Sequence, residues 1–119
     1  MELKTGFGWV EINGERYNYD VILFWDGEVL RRKKEKSEKV KKLFEHTPFS
    51  KFEVEDLFKK DVKVVYIGTG QYGAMPVRED AIEEIKKKGV ELIIDKTPKI
   101  LEKIKNDKRK WVALIHTTC

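Results

Sequence analysis

The sequence predicts an α/β fold built around a central mixed sheet, and two observations predict it. Three segments (62–67, 90–94 and 111–115) consist mostly of apolar residues, as expected of strands that are covered on both faces of a sheet. Two segments with helical periodicity lie between them, at about 78–88 and from Thr97 onwards. The order strand, helix, strand, helix, strand implies two right-handed crossovers and parallel neighbouring strands, a βαβαβ C-terminal half.

Both helices are predicted from their ends and their apolar stripes. The first would end before Gly89, because glycine is favoured just past a helix, and the second would begin with Thr97 as N-cap followed by Pro98. We expect both helices on one face of the sheet, and shorter helices at 54–59 and 38–45. The residues that would face the sheet are Ala81, Ile82, Ile85, Ile100, Leu101 and Ile104.

The N-terminal third predicts β-hairpins. Asn13-Gly14 and Asp26-Gly27 are turn signals, because these residue types tolerate positive φ. The flanking segments 8–12, 16–19, 21–24 and 28–30 have the residue types of strands. We expect this meander to pack on the central sheet or to extend it.

Length and composition set the protein class. The 119 residues fit one domain, residues 1–119, and no apolar run approaches the roughly 18 residues of a membrane span. No secretory signal follows Met1, so we expect a cytoplasmic protein without membrane contact. Abundant Lys and Glu with few amides is typical of hyperthermophile proteins. A single cysteine, Cys119, excludes an internal disulfide and a multi-cysteine metal cage, and the sequence predicts no metal and no cofactor.

The positive charge of the chain is concentrated in residues 31–42. This segment holds eight Lys or Arg against two Glu, whereas the net charge of the whole chain is +4. It contains no aromatic residue on which a base could stack and no known nucleic-acid-binding motif. We therefore interpret it as a solvated strand end and helix, and nucleic-acid binding as the disfavoured alternative.

The candidate site is the glycine-rich turn after the first apolar strand, because ligands bind beyond the carboxyl ends of the strands in open parallel sheets. Asp95 ends the second strand, and residues 116–119, which include His116 and Cys119, follow the last. All three segments share one edge if the last strand is parallel to the others. The turn reads Gly68-Thr69-Gly70-Gln71-Tyr72-Gly73.

Three interpretations of this edge are open. The spacing G-x-G-x-x-G is that of a dinucleotide-binding turn, but the helix would start too late, near Arg78, and only three parallel strands are available. Backbone N–H groups of the turn could instead hold a small anion, with Arg78, Lys96 or His116 as charge partners. Alternatively, the glycines let the chain pass close to its neighbours, and residues 116–119 tie the turn down.

A Cys–His pair is a further candidate at the same edge, because a neighbouring histidine can activate a thiolate. Side-chain alternation would aim His116 and Cys119 at opposite faces, which disfavours direct contact between them. No spacing among the carboxylates predicts a metal site or a general acid/base pair. These carboxylates are Asp20, Asp26, Glu53, Glu55 and Asp56.

Several motifs resemble those of the Mth938-like domain family. They are the segments 19–23, 26–29, 67–73, 95–98 and 116–119, so the similarity covers almost the whole chain. The family includes uncharacterised archaeal and bacterial proteins, the adipogenesis-associated Mth938 domain-containing protein and mitochondrial complex I assembly factor three. The resemblance implies a three-layer α/β fold and supplies no catalytic residue, substrate or cofactor.

Two functions remain as expectations. The first is a non-catalytic protein of binding or assembly type that holds a protein partner or a small ligand at the glycine edge. The second is an enzyme or carrier for a small anionic metabolite held at the glycine-rich turn. A homo-oligomer is compatible with either.

Overall fold

The computed structural model describes residues 1–40 and 46–119. Its main feature is a five-stranded mixed sheet with the order β5-β4-β8-β6-β7. The strands are β4 (Val21–Phe24), β5 (Val29–Arg31), β6 (Val64–Gly68), β7 (Glu91–Asp95) and β8 (Trp111–Ile115). β6 is parallel to both β7 and β8, whereas β4 is antiparallel to its neighbours. The mixed sheet and the βαβαβ half predicted from the sequence are therefore confirmed.

The helices lie on both faces of this sheet, so the prediction of a single helical face was wrong. Helix α1 (Glu79–Lys87) packs on one face together with a 3-10 helix, Lys51–Phe58, in the place of the helix predicted at 54–59. Helix α2 (Thr97–Lys105) packs on the other face. The strand order explains this, because the chain steps from β6 to β7 and then back over β6 to β8. Right-handed crossovers in opposite directions place their helices on opposite faces.

The N-terminal residues form a second, antiparallel sheet of three strands. They are β1 (Leu3–Gly6), β2 (Trp9–Ile12) and β3 (Glu15–Tyr17), and β2 lies in the middle. Leu3, Val10 and Ile12 pack with α2 against the central sheet, which gives the expected three layers. The hairpin of β4 and β5 extends the central sheet instead. Strand β1 was not predicted, because four residues with one large apolar side chain give little strand signal.

Two helix predictions need correction. Thr97 is the first residue of α2 and not its N-cap, which is Lys96; the Thr97 side chain is used in the site described below. The helix predicted at 38–45 falls at 41–45 outside the described residues, and a 3-10 helix, Lys34–Ser37, precedes it. Within residues 1–40 and 46–119, no helix is long and apolar enough to cross a membrane.

Candidate functional site

The glycine-rich turn continues directly from β6, and its backbone N–H groups are engaged within the chain. Residues 69–74 all donate to protein oxygens. The donors and acceptors are Thr69 N to Asp95 O (2.9 Å), Gly70 N to Thr97 Oγ1 (2.9 Å), Gln71 N to Thr118 O (2.7 Å), Tyr72 N and Ala74 N to Cys119 O (3.0 Å each) and Gly73 N to Gly70 O (3.3 Å). An external anion would have to displace residues 118 and 119 to reach these groups. In this structure the turn is therefore a clamp for the terminal segment (residues 116–119), and its N–H groups do not form an open anion cradle.

Gly70 shows why this approach requires glycine. Its φ is +109°, and a Cβ there would lie 2.3 Å from the carbonyl carbon of Cys119. Real Cβ atoms do not approach backbone this closely, so any side chain would push the terminal segment away. Close approach of two backbones is one of the uses of glycine considered from the sequence.

Thr97 joins the turn to the terminal segment from the helix side. Its buried hydroxyl donates to His116 O (2.7 Å) and accepts from Gly70 N (2.9 Å). A Cβ on Gly68 would lie 2.8 Å from this hydroxyl oxygen. The start of α2, the turn and the segment after β8 are thus held together by one side chain.

The other predicted site residues contribute differently. Asp95 binds Thr69 through its backbone oxygen, while its carboxylate accepts from Lys96 N (2.8 Å), and this hydrogen bond lowers the pKa of Asp95. Gln71 donates from Nε2 to Thr5 Oγ1 (3.0 Å). Tyr72 is 72% exposed, with its ring centroid 6.2 Å from that of Phe7.

His116 pairs with a carboxylate that lies 96 positions earlier in the chain. Its Nδ1 lies 2.7 Å from Asp20 Oδ2, and its Nε2 lies 3.2 Å from the hydroxyl oxygen of Thr118. Cys119 is not among the hydrogen-bond partners of His116 in the described structure. The Cys–His pair considered from the sequence is replaced by a row of Asp20, His116 and Thr118.

Asp20 is fixed on both of its carboxylate oxygens. Oδ2 accepts from Arg32 Nη1 (2.9 Å) as well as from His116, and Oδ1 accepts from Thr117 N (2.9 Å). Burial opposes ionisation of this carboxyl. The hydrogen bond and charge of His116, the charge of Arg32 and the Thr117 N–H outweigh burial and hold the pKa of Asp20 well below its usual range.

Arg32 is buried, and this corrects the interpretation of residues 31–42 as a solvated run. Only 4% of Arg32 is exposed. Its guanidinium binds Glu53 with two parallel hydrogen bonds of 2.7 and 2.9 Å, and it donates to Asp20 and to Pro48 O (3.2 Å). The fork of donors on Arg matches a carboxylate, which suits it to buried pairs of this kind. Ser37 adds a further hydrogen bond to Glu53.

A cleft opens beside His116, and we name it the His116 cleft. It consists of two adjoining cavities of about 350 and 230 Å³ that share Arg32, Lys34, His116 and Thr118. The larger cavity is also lined by His46, Thr47 and Cys119. The lining of the smaller cavity adds Gly8, Asn18, Tyr19, Asp20, Arg31 and Thr117.

The side chains that line the larger cavity are cationic or neutral. Its described lining contains no carboxylate side chain, and it includes the ammonium of Lys34 and two imidazoles. Lys34 forms no ion pair with any residue in the described part of the chain. The cleft therefore offers a site for an anion next to the terminal segment, with a lining that includes none of residues 69–74.

A comparison with models of protein families identifies the family of this chain. The model of a family described as a protein of unknown function (DUF498/DUF598) matches residues 3–115. The chain belongs to the DUF498/DUF598 family. A search of curated proteins gave no significant match.

Solved structures support the fold of this DUF498/DUF598 protein. The conserved hypothetical protein PH1505 from Pyrococcus horikoshii OT3 is 27% identical, with a TM-score of 0.87 and full coverage of both chains. The protein MT938 is 24% identical, with a TM-score of 0.76 over 98% of this chain and 96% of its own. A Bordetella parapertussis protein is 14% identical, with a TM-score of 0.72 over 95% and 91%. The resemblance to the Mth938-like domain family is confirmed, and the Pyrococcus relative agrees with the Lys- and Glu-rich composition.

Sequence reasoning on this DUF498/DUF598 protein did not predict the place of Asp20, Arg32, Lys34 and His46 in the cleft. Asp20 showed no telling spacing, because His116 lies 96 positions later in the chain, just after β8. Arg32 and Lys34 lie in a run of charges, and no other candidate site residue lies near His46 in the sequence. The one signal in the sequence was that Asp20 directly precedes β4 and Arg32 directly follows β5, at the same end of this hairpin. That end lies beside the end of β8, but this follows only from the order of strands in the sheet. In the described residues no group of three His, Cys, Asp or Glu side chains could hold a metal ion.

Proposed function

We propose that this protein binds a small anionic ligand in the His116 cleft. The observation that supports the proposal is the positive lining of the larger cavity at the carboxyl ends of β6 and β8. Ligands in open α/β sheets bind at this end of the strands. The volume of about 350 Å³ is that of a small-molecule site.

The chemistry of the lining favours a carboxylate or a phosphate. Lys34 supplies an ammonium that has no acidic partner in the described structure, and His46 and His116 offer ring nitrogens. Arg32 is already committed to Asp20 and Glu53, so it orients the wall and does not serve as a free donor. Charge-assisted hydrogen bonds from the remaining groups would be about twice as strong as neutral ones.

A small ligand fits better than a protein segment that pairs with the turn. The N–H groups at 69–74 are engaged, so the turn has no free donors with which to pair an added strand. A concave cavity remains beside it. The binding function expected from the sequence is therefore assigned to the cleft, with His116 and Cys119 as the predicted edge residues that line it.

Thermal unfolding and calorimetry with inorganic phosphate, sulfate and succinate test the proposal. A ligand present at 100 times its Kd would stabilise the protein by about 2.7 kcal/mol, which corresponds to a rise in Tm of roughly 10 °C for a domain of this size. Lys34→Ala should weaken binding about tenfold. Lys108→Ala, an exposed lysine before β8 at the opposite end of the strands, is the matched control.

Chloride at equal ionic strength separates binding from screening of surface charge. Saturable heat and a shift in Tm with one of the three anions, reduced by Lys34→Ala alone, support the proposal. The absence of both, or an equal effect of the two lysine variants, contradicts it.

A further inference from the structure

Three side chains of the His116 cleft are hydrogen-bonded in a row. Asp20 Oδ2 lies 2.7 Å from His116 Nδ1, and His116 Nε2 lies 3.2 Å from Thr118 Oγ1. All three residues line the smaller cavity, and His116 and Thr118 also line the larger one. The row therefore ends in a hydroxyl at the wall of a cavity that is open to a ligand.

The partners of Asp20 determine which nitrogen of His116 carries the proton. Asp20 is an ionised carboxylate that accepts from Arg32, Thr117 and His116, so Nδ1 must donate to it. In the neutral imidazole Nε2 is then an acceptor. The hydroxyl of Thr118 donates to it, and this is the arrangement in which a histidine removes a proton from a nucleophile.

We propose that Thr118 is a nucleophile activated by His116, with Asp20 as the positioning residue, and that the site accepts an acyl group from a small anionic ester. The anionic character of the substrate rests on the proposed function of the cleft. The role of Thr118 does not depend on that proposed function, because it is argued from the two distances in the row and from the cavity that all three residues line.

The reaction has two balanced steps. Thr118 Oγ1 attacks the ester carbonyl while its proton moves to His116 Nε2, and the alcohol leaves with that proton, so that an acyl-Thr118 ester remains. Water then attacks the acyl group, its proton passes through His116 to Thr118 Oγ1, and the carboxylic acid is released. No oxidant or metal is required.

A purely structural role for the hydroxyl would be redundant. The terminal segment is already fixed by Gln71 N on Thr118 O (2.7 Å) and by Asp20 on Thr117 N (2.9 Å). Thr97 additionally holds His116 O (2.7 Å). The contact between Thr118 Oγ1 and His116 Nε2 adds little to this anchoring, but it connects the imidazole to the cavity.

Activated esters test the nucleophile directly. We expect the full chain to release 4-nitrophenolate from 4-nitrophenyl acetate and from mono-4-nitrophenyl succinate, with the acyl group mapped to Thr118 by tandem mass spectrometry. The succinyl ester should react about tenfold faster, because its carboxylate enters a positive cleft. Acylation confined to lysines or to Cys119, or none at all, overturns the inference.

Variants separate chemistry from folding. Thr118→Val keeps the shape and removes the hydroxyl, and it should abolish the adduct, whereas Thr118→Ser should retain it. Asp20→Asn should slow acylation at least about 100-fold, the lower end of what general base catalysis contributes. The chain has two histidines, so ¹⁵N spectra of the imidazole rings can report the tautomer of His116. In Asp20→Asn, His116 should lose the tautomer that carries its proton on Nδ1. Amide spectra of the variant check that the fold persists. An unchanged tautomer and rate in a folded Asp20→Asn would overturn the role of Asp20.

The failure of this inference is distinguishable from that of the proposed function. Saturable binding of inorganic phosphate without any acylation of Thr118 overturns the triad and leaves the anion site standing. Acylation of Thr118 at equal rates by both esters, without phosphate binding, supports the triad and contradicts the anion site.

Discussion

Replacement of Gly70 by alanine perturbs the contact on which the geometry of the edge depends. The new Cβ would lie 2.3 Å from the carbonyl carbon of Cys119 and 2.8 Å from the backbone oxygen of Thr118. Neither neighbour is a flexible side-chain end, so the terminal segment must move. Movement breaks the hydrogen bonds from the backbone N–H groups of Gln71, Tyr72 and Ala74.

The size of the effect follows from two contributions. Positive φ costs an alanine about 1–2 kcal/mol. Three lost hydrogen bonds at about 0.5–1.5 kcal/mol each add roughly 1.5–4.5 kcal/mol. We therefore expect Gly70→Ala to lower the free energy of unfolding by about 3–6 kcal/mol.

Gly27→Ala is a matched control. Gly27 has a φ of +92°, and nothing lies within 4 Å of a Cβ built there, so this variant carries the backbone cost alone. Guanidinium unfolding measures both variants, and hydrogen exchange reports whether the amides at 71, 72 and 74 lose protection only in Gly70→Ala. Equal losses of stability in the two variants, with these amides still protected, would refute the clamp.

Three further predictions concern the surrounding interactions. Arg32→Met leaves two buried carboxylates without their shared cation and should lower the free energy of unfolding by about 3–5 kcal/mol in chemical denaturation. The control, Arg31→Met at an exposed neighbouring position, should lower it by under about 1 kcal/mol. Similar losses in the two variants would contradict the buried network. Thr97→Val leaves the buried Gly70 N–H and His116 C=O without their partner and should lower the free energy of unfolding by about 2–4 kcal/mol. Thr97→Ser keeps the hydroxyl and should retain most of that stability in thermal unfolding. Hydrogen bonds from Arg109 lower the pKa of Asp107 to about 2. The stability that ionised Asp107 contributes is therefore present above about pH 4 and is lost as the pH falls towards 2. Asp107→Asn should flatten the plot of unfolding free energy against pH in that window, and an unchanged slope would refute this role of Asp107.

Much of the central sheet could be predicted from the sequence because its signals are local. The apolar strands β6 and β8 and the glycine after α1 are readable from neighbouring residues alone. The position of the glycine turn at the carboxyl edge followed from strand order along the chain, given that β8 is parallel to β6. The placement of the helices on two faces could not be predicted in the same way. It depends on the order of the strands in the sheet, in which β6 lies between β8 and β7.

The polar cleft could not be predicted because its residues meet only through tertiary structure. Asp20 and His116 are brought together by the pairing of β4 with β8, in which Val21 lies opposite Ile115. Arg32 has the same local surroundings as its solvated neighbours, and only the placement of Glu53 by the 3-10 helix makes its burial favourable. Close approach at the turn was one of three interpretations open from the sequence, and the structure shows residues 118 and 119 of the same chain lying against it.

The most direct test of the central claim is a titration of the protein with inorganic phosphate, followed by NMR at the ring resonances of its two histidines. We predict that His46 and His116 shift together and saturably with one Kd, and that Lys34→Ala raises this Kd about tenfold. Shifts that are absent, that stay linear in phosphate concentration, or that survive unchanged in Lys34→Ala would contradict an anion site in the His116 cleft.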